Sequence, residues 1–279
     1  FREATLYPDF TETGLLLDLD AGTVIVPDSL SWYRFIARDT VAAMLHGLLD
    51  FARDADFAGF RERHAADYAE WEAEAARSLR EGDDLQRLDA FFRYGDERAR
   101  PDVLVILEPL NGWGAHAITA APLLEPVGGA GTVVYQIGSS WAQPRFPDTR
   151  LSFARDDGSL AWHEASHVYL NTVLRVTRDE IDALAHLFDA ENEALQRQNV
   201  TTWTYAFEEN LVRAIVVVLT RQVSGDERVR RMVEREIANG FVHVGTMAAL
   251  IEEEYVGTDR HATFDAFLPR VFEVLGTLP

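Results

Sequence analysis

One stretch in the second half of the chain limits the available folds more than any other. From Tyr205 the sequence reads Ala-Phe-Glu208-Glu209-Asn-Leu211-Val212-Arg213-Ala214-Ile215-Val216-Val217-Val218. At a 3.6-residue period this helix is apolar on nearly every side, so it must be buried among other elements. It is too short to span a membrane. The uninterrupted apolar run from Ala214 to Leu219 is bounded by Arg213 and Arg221, and crossing needs about 18 residues. A helix of this kind demands a large core. With 47% of its residues hydrophobic and 11% aromatic, the chain can build one, and it is not a disordered acidic tail.

The pattern elsewhere is mostly helical. Apolar spacing predicts a helix after a cap at Asp28 or Ser29 that carries Trp32, Phe35, Ile36, Met44, Leu45, Leu48 and Leu49. Others are expected over 57–79, 84–92 and from Asp156 to about Val173, then over 178–198, 203–222, 226–238, 245–255 and 261–276. Short apolar segments at Gly14 to Leu19 and Thr23 to Val26, split by a turn signal, read as strands. So do Val103 to Leu107 and Thr132 to Ile137, which are β-branched and bounded by Pro or Gly. Asn111-Gly-Trp-Gly and Val127-Gly-Gly-Ala-Gly read as loops. The fold class is α+β, mostly helical with a small mixed or antiparallel sheet. Pro101 is the best compositional boundary, giving a mainly helical region over 1–100 packed on a catalytic region over 101–279. Strands on both sides of the first helical block also suit one continuous domain.

With 26 basic residues, all of them Arg, against 46 acidic ones, the net charge is −20. Such a surface repels phosphate backbones, and no basic stripe is present, so nucleic acid is not an expected partner. The absence of Cys excludes disulfides, thiolate catalysis and Cys-rich zinc modules. The chain opens at Phe1 with no basic-then-apolar leader. Together with the missing Cys, this suggests an exported, extracytoplasmic protein whose signal has been removed, with a cytoplasmic protein as the alternative.

The chemistry sits in Trp162-His163-Glu164-Ala-Ser-His167-Val-Tyr169. This is His-Glu-x-x-His on a segment free of Pro and Gly. Two imidazoles four residues apart project from one helix face, one turn apart, and can share a metal ion. Glu164 lies beside them, placed to take a proton from metal-activated water and return it to a leaving amine. With 8 His in 279 residues, chance yields the pattern in roughly 2% of such chains. Zinc suits two imidazoles and a carboxylate, with a fourth position left for water.

A third protein ligand must lie elsewhere, because the downstream Gly and third His of the longer motif are absent. Adjacent carboxylates at the start of a buried helix are costly unless compensated, and a cation compensates them. That singles out Glu208 and Glu209, and periodicity does not choose between them.

The pattern His163-Glu-x-Ser-His167-x-Tyr-x-Asn171, followed by Trp203 and by Glu209-Asn-Leu-Val-Arg213-Ala, resembles the DUF4932 family of bacterial, predicted zinc metallopeptidases. Gly240-Phe241, Tyr255, Arg260, Phe264 and Phe267-Leu-Pro269 are similar to that family's C-terminal part. The resemblance covers about the C-terminal two-thirds. It implies a zincin-like fold of the class with a glutamate third ligand (gluzincin-type), and its motif aligns that ligand with Glu209. Ala165 departs from the pattern, which more commonly has an aromatic there, and this bears on core packing.

The expected activity is therefore zinc-dependent hydrolysis, specifically of peptide bonds. Zn2+ is held by His163, His167 and Glu209, Glu164 acts as general base and then acid, and the substrate is a peptide or protein. Two rivals stand beside it: a zincin-like peptide-binding module without catalysis, and a helical interaction protein carrying the motif by coincidence. Substrate is expected along a sheet edge, with Thr132–Ile137 the candidate strand and an ordinary interior strand the alternative reading of that segment. His243, Tyr255 and Arg260 are candidate oxyanion donors. Arg213 is a partner for Glu208 or a substrate carboxylate, and Asn171 a cap of the metal helix or a substrate contact. Asp156, Asp157 and the acidic residues near the third-ligand helix are candidates to orient the imidazoles.

Overall fold

In the computed structural model, the described residues are 14–28, 36–94, 102–108, 117–118, 132–138 and 158–279. The chain forms two compact units, each drawn from two stretches. One is Phe1–Ser78 with Asp102–Ala154, the other Leu79–Pro101 with Arg155–Pro279.

In the first unit, β1 (Leu17–Asp18) and β2 (Thr23–Val24) pair antiparallel. The Asp18 carboxylate closes their turn by accepting from the Ala21 N–H. Helix α1 (Arg38–Asp54) lays Val41 and Leu45 on Leu16, completing a small core with Val24, Val26, Met44 and Ile106. The helix starts at Arg38 rather than at the caps expected from sequence. Asp28 instead faces Arg38 at 3.3 Å, while Ser29 lies outside the described residues.

The helix predicted over 57–79 is broken into α2 (Phe57–Arg63) and α3 (Ala65–Glu81). His64 ends the first and starts the second. Its ring bonds the Asp67 carboxylate at 2.9 Å and its carbonyl accepts from the Asp67 N–H, a local cap that competes with continuous helix. After α4 (Asp84–Phe92) come the strands β3 (Asp102–Glu108), β4 (Ala117–Ile118) and β5 (Thr132–Gly138). The sheet is mixed. β5 lies between β3, which is parallel to it, and β4, which is antiparallel. The candidate edge strand is thus central, as suits a run with no polar alternation. The expected loops at 111–114 and 127–131 lie outside the described residues.

The second unit is helical among the described residues. Helix α5 (Ser159–Val176) is followed by α6 (Arg178–Asp182), a 3₁₀ turn at Ala185–Leu187 and α7 (Glu193–Arg197). The single helix expected over 178–198 fails because Asn192 caps α7, accepting from the Ala194 and Leu195 N–H groups. Then come α8 (Trp203–Ser224), α9 (Asp226–Ala238), α10 (Val244–Glu254) and α11 (Phe264–Leu275).

Helix α8 is the axis of this unit. It is capped by Thr202, its residues from Glu209 to Thr220 are buried apart from the half-buried Arg213, and it packs on α5, α9 and α10. Its partner α5 is pinned near its start and at its middle. The Trp162 indole donates to the Asp84 carbonyl, and the Tyr169 hydroxyl to Asp89. Phe91, Phe92, Tyr169, Tyr255, Phe264 and Phe267 form one aromatic cluster beneath it. Burying each such ring stabilises the fold by about 1.5–3 kcal/mol. The unit's two central helices are therefore held rigidly, face to face.

Candidate metal centre

Each helix contributes one side of the site. On α5, His163 and His167 lie one turn apart and bring their Nε2 atoms to 3.3 Å. On α8, Glu209 sets Oε1 3.4 Å from His167 Nε2 and Oε2 3.7 Å from His163 Nε2. The three side chains are 18%, 13% and 6% exposed, and one donor atom from each lies within 4.8 Å of the others. They could hold a metal ion.

The donor set fits such an ion. Tetrahedral zinc with bonds of about 2.0–2.1 Å separates its ligand atoms by roughly 3.3–3.4 Å, which matches the two shortest edges here. Glu209 Oε2 faces Arg213 Nη2 at 2.9 Å, which leaves Oε1 as the carboxylate oxygen on the His167 side of the group.

The sequence left Glu208 and Glu209 as alternatives, and the structure uses both. Glu208 Oε1 takes the other nitrogen of His167, Nδ1, at 2.8 Å. Adjacent residues on a helix point about 100° apart, so one carboxylate joins the donor triangle while its neighbour orients a ring within it. A carboxylate on Nδ1 fixes the tautomer and turns Nε2 toward the cluster. No sequence pattern states that division of labour, because it depends on how α8 is rotated against α5.

Electrostatics follow the same geometry. Burial pulls the pKa of His163 down, with only partial opposition from Glu209. Burial also acts against charge on His167, but its hydrogen bonds to Glu208 and Glu209 outweigh that and raise its pKa above the ordinary imidazole value. Burial pushes the Glu209 pKa up, and His167, His163 and Arg213 together overcome it, leaving the carboxyl below its usual range. Without metal, one proton on His167 and a carboxylate at Glu209 are the stable arrangement. Glu164, between the two histidines on α5, is buried.

The other candidates resolve differently. Tyr255 is buried and donates to the Phe91 carbonyl, a packing role. Arg260 is exposed. The His243 N–H is held by Asn210 Oδ1 at 3.0 Å, its ring stands edge-on to Trp203, and its Nε2 is buried without a partner among the described residues. Asn171 is not a cap, since it lies inside α5 on an exposed position. Arg213 pairs with Glu209, not Glu208. Asp156 and Asp157 lie outside the described residues. Sequence reasoning missed Tyr205, one turn before Glu209 on the same face of α8 and 42% exposed. Burial raises its pKa, and the charges of Glu209, Glu208 and Glu164 raise it further. The phenol is thus a neutral donor beside the site. Its i, i+4 spacing from Glu209 was the available signal.

Residues 150–274 match a family described as a domain of unknown function, DUF4932. The chain carries a DUF4932 domain. The match is shorter than the two-thirds suggested by the resemblance. It still contains α5 and α8, and with them all three donors, Glu164 and Glu208. Neither the curated proteins nor the solved structures give a match to the chain. Among the described residues, the matched region therefore supplies every residue of the candidate site.

Proposed function

We propose that this protein is a zinc-dependent hydrolase of the zincin-like, glutamate-ligand type that cleaves peptide bonds. One observation carries the reading. Two part-buried imidazoles and one buried carboxylate on two packed helices converge, with two of their separations those of a tetrahedral cation's ligands, and a buried glutamate sits within the same histidine pair. His163, His167 and Glu209 would hold the ion. A bound zinc supplies a Lewis acid that polarises a carbonyl and makes its water acidic near neutral pH.

The chain's own residues do the rest. Glu164 takes the proton of the attacking water and hands it to the leaving nitrogen. Glu208 keeps the His167 ring in register. The Tyr205 hydroxyl, neutral at any working pH, donates to the oxygen on which charge develops, a contact that is worth about 100-fold or more in other hydrolytic sites. The net charge of −20 favours neutral or basic peptides on approach.

The test is elemental analysis of purified protein, together with a fluorogenic peptide mixture assayed with and without chelator. We expect one zinc per chain and chelator-sensitive cleavage. Glu164→Gln should keep its zinc and lose several orders of magnitude in turnover. Zinc without cleavage of any peptide would leave a binding module instead, and no transition metal at all would end the proposal.

A further inference from the structure

Arg213 lies against the donor triangle and has no task in holding the metal. Its Nη2 lies 2.9 Å from Glu209 Oε2. Its Nη1 lies 2.8 Å from Glu236 Oε2 on α9. Glu236 is itself buried, and its other oxygen is taken by Arg235 Nε and Nη2 at 3.0 and 2.8 Å. The Arg213 guanidinium stacks over the Phe241 ring, 4.0 Å from its centroid. The fork is therefore fixed by two carboxylates and an aromatic face, and swinging away would cost both buried acids a charge partner.

Resting on that metal reading, we propose that Arg213 is a positioning residue that confines Glu209 to giving the metal one oxygen, Oε1. A carboxylate with both oxygens free can bind a cation through two. Here that would raise the coordination number and fill the space a water or substrate oxygen needs. Arg213 occupies Oε2 electrostatically, while Oε1 remains on the His167 side of the triangle.

A lone arginine so close would also cancel the charge that attracts the cation. Glu236 answers that in part. Paired with Arg213 in a buried contact, it offsets part of that charge, and its other partner, Arg235, is largely exposed and screened by solvent, so Glu209 keeps part of its pull on a metal. The sequence places Arg213 one helical turn after Glu209, on the same face. The balancing acid comes from a different helix.

The test reads coordination directly. Cobalt(II) replaces zinc in the intact protein, and visible absorption is measured per bound ion, since four-coordinate cobalt absorbs several times more strongly than five- or six-coordinate. Wild type should give the intense four-coordinate spectrum. Arg213→Met should lose several-fold in intensity per bound ion, and Arg213→Lys, which still presents a cation to Oε2, should stay closer to wild type. A merely structural role would lower metal content or melting temperature while leaving the intensity per bound ion unchanged.

Wild-type intensity in Arg213→Met, or identical spectra for the Met and Lys variants, overturns the proposal. Should the Met variant not fold, a crystal structure of the zinc-loaded wild type decides. One Glu209 oxygen at about 2.0–2.2 Å with the other on Arg213 supports the proposal, and two at bonding distance refute it. Metal uptake and hydrolysis with both oxygens bound would remove this inference alone, whereas no metal uptake by the wild type removes the hydrolase reading with it.

Discussion

At the scale of single residues, the site divides its acids by the atom each one reaches. Glu209 supplies an oxygen to the donor triangle and Glu208 holds the far nitrogen of His167. Their variants should therefore differ in kind. Glu209→Ala removes a ligand and should abolish tight zinc binding. Glu208→Ala leaves all three donors but frees the ring, and a loss of about 10–100-fold in zinc affinity is expected. Competition with a chromophoric chelator measures both. The raised pKa of His167 adds a proton to the balance. A raised imidazole pKa means that the charged ring contributes stability below about pH 6.5, and that this is lost as pH climbs through the higher folded value. The metal-free protein should accordingly weaken in alkali. Because a ligating imidazole is neutral, zinc uptake near pH 7 should release about one proton. Calorimetry in two buffers of different ionisation heat reads this, and no buffer dependence would mean that the ring was already neutral.

At the scale of elements, boundaries were legible where one signal acted and were lost where two competed. Helix α4 falls on the predicted 84–92, and α8 to α11 lie within about three residues of prediction. The long helices expected over 57–79 and 178–198 were cut at His64, where the ring bonds Asp67 and the carbonyl takes an i+3 amide, and at Asn192, whose side chain accepts from the backbone. The turn after α9 depends on backbone geometry instead. Gly240 has φ of +97°, and a Cβ there would meet Leu195 Cγ at 2.8 Å. Gly240→Ala should thus destabilise the second unit by at least about 1–2 kcal/mol, with the donor triangle unchanged in the folded fraction. Urea melts followed by Trp fluorescence would show a lower midpoint, and an unchanged midpoint would show that Leu195 yields freely.

At the scale of the whole molecule, the site joins two helices of one unit, so loading it should stabilise that unit. Free zinc at a thousand times its dissociation constant adds about 4 kcal/mol. Wild type should melt higher with zinc than with chelator, and Glu209→Ala should show no such gap in a calorimetric scan. The sequence by itself determined that α8 is buried, that His163 and His167 share a face, and that a carboxylate from the 208–209 pair belongs with them. Period and spacing are properties of a single helix. Which carboxylate meets which nitrogen, that β5 is central instead of an edge, and that Glu236 stands behind Arg213 were decided by tertiary structure alone. Each depends on the rotation or pairing of one element against another, and that is fixed by packing between residues far apart in the chain.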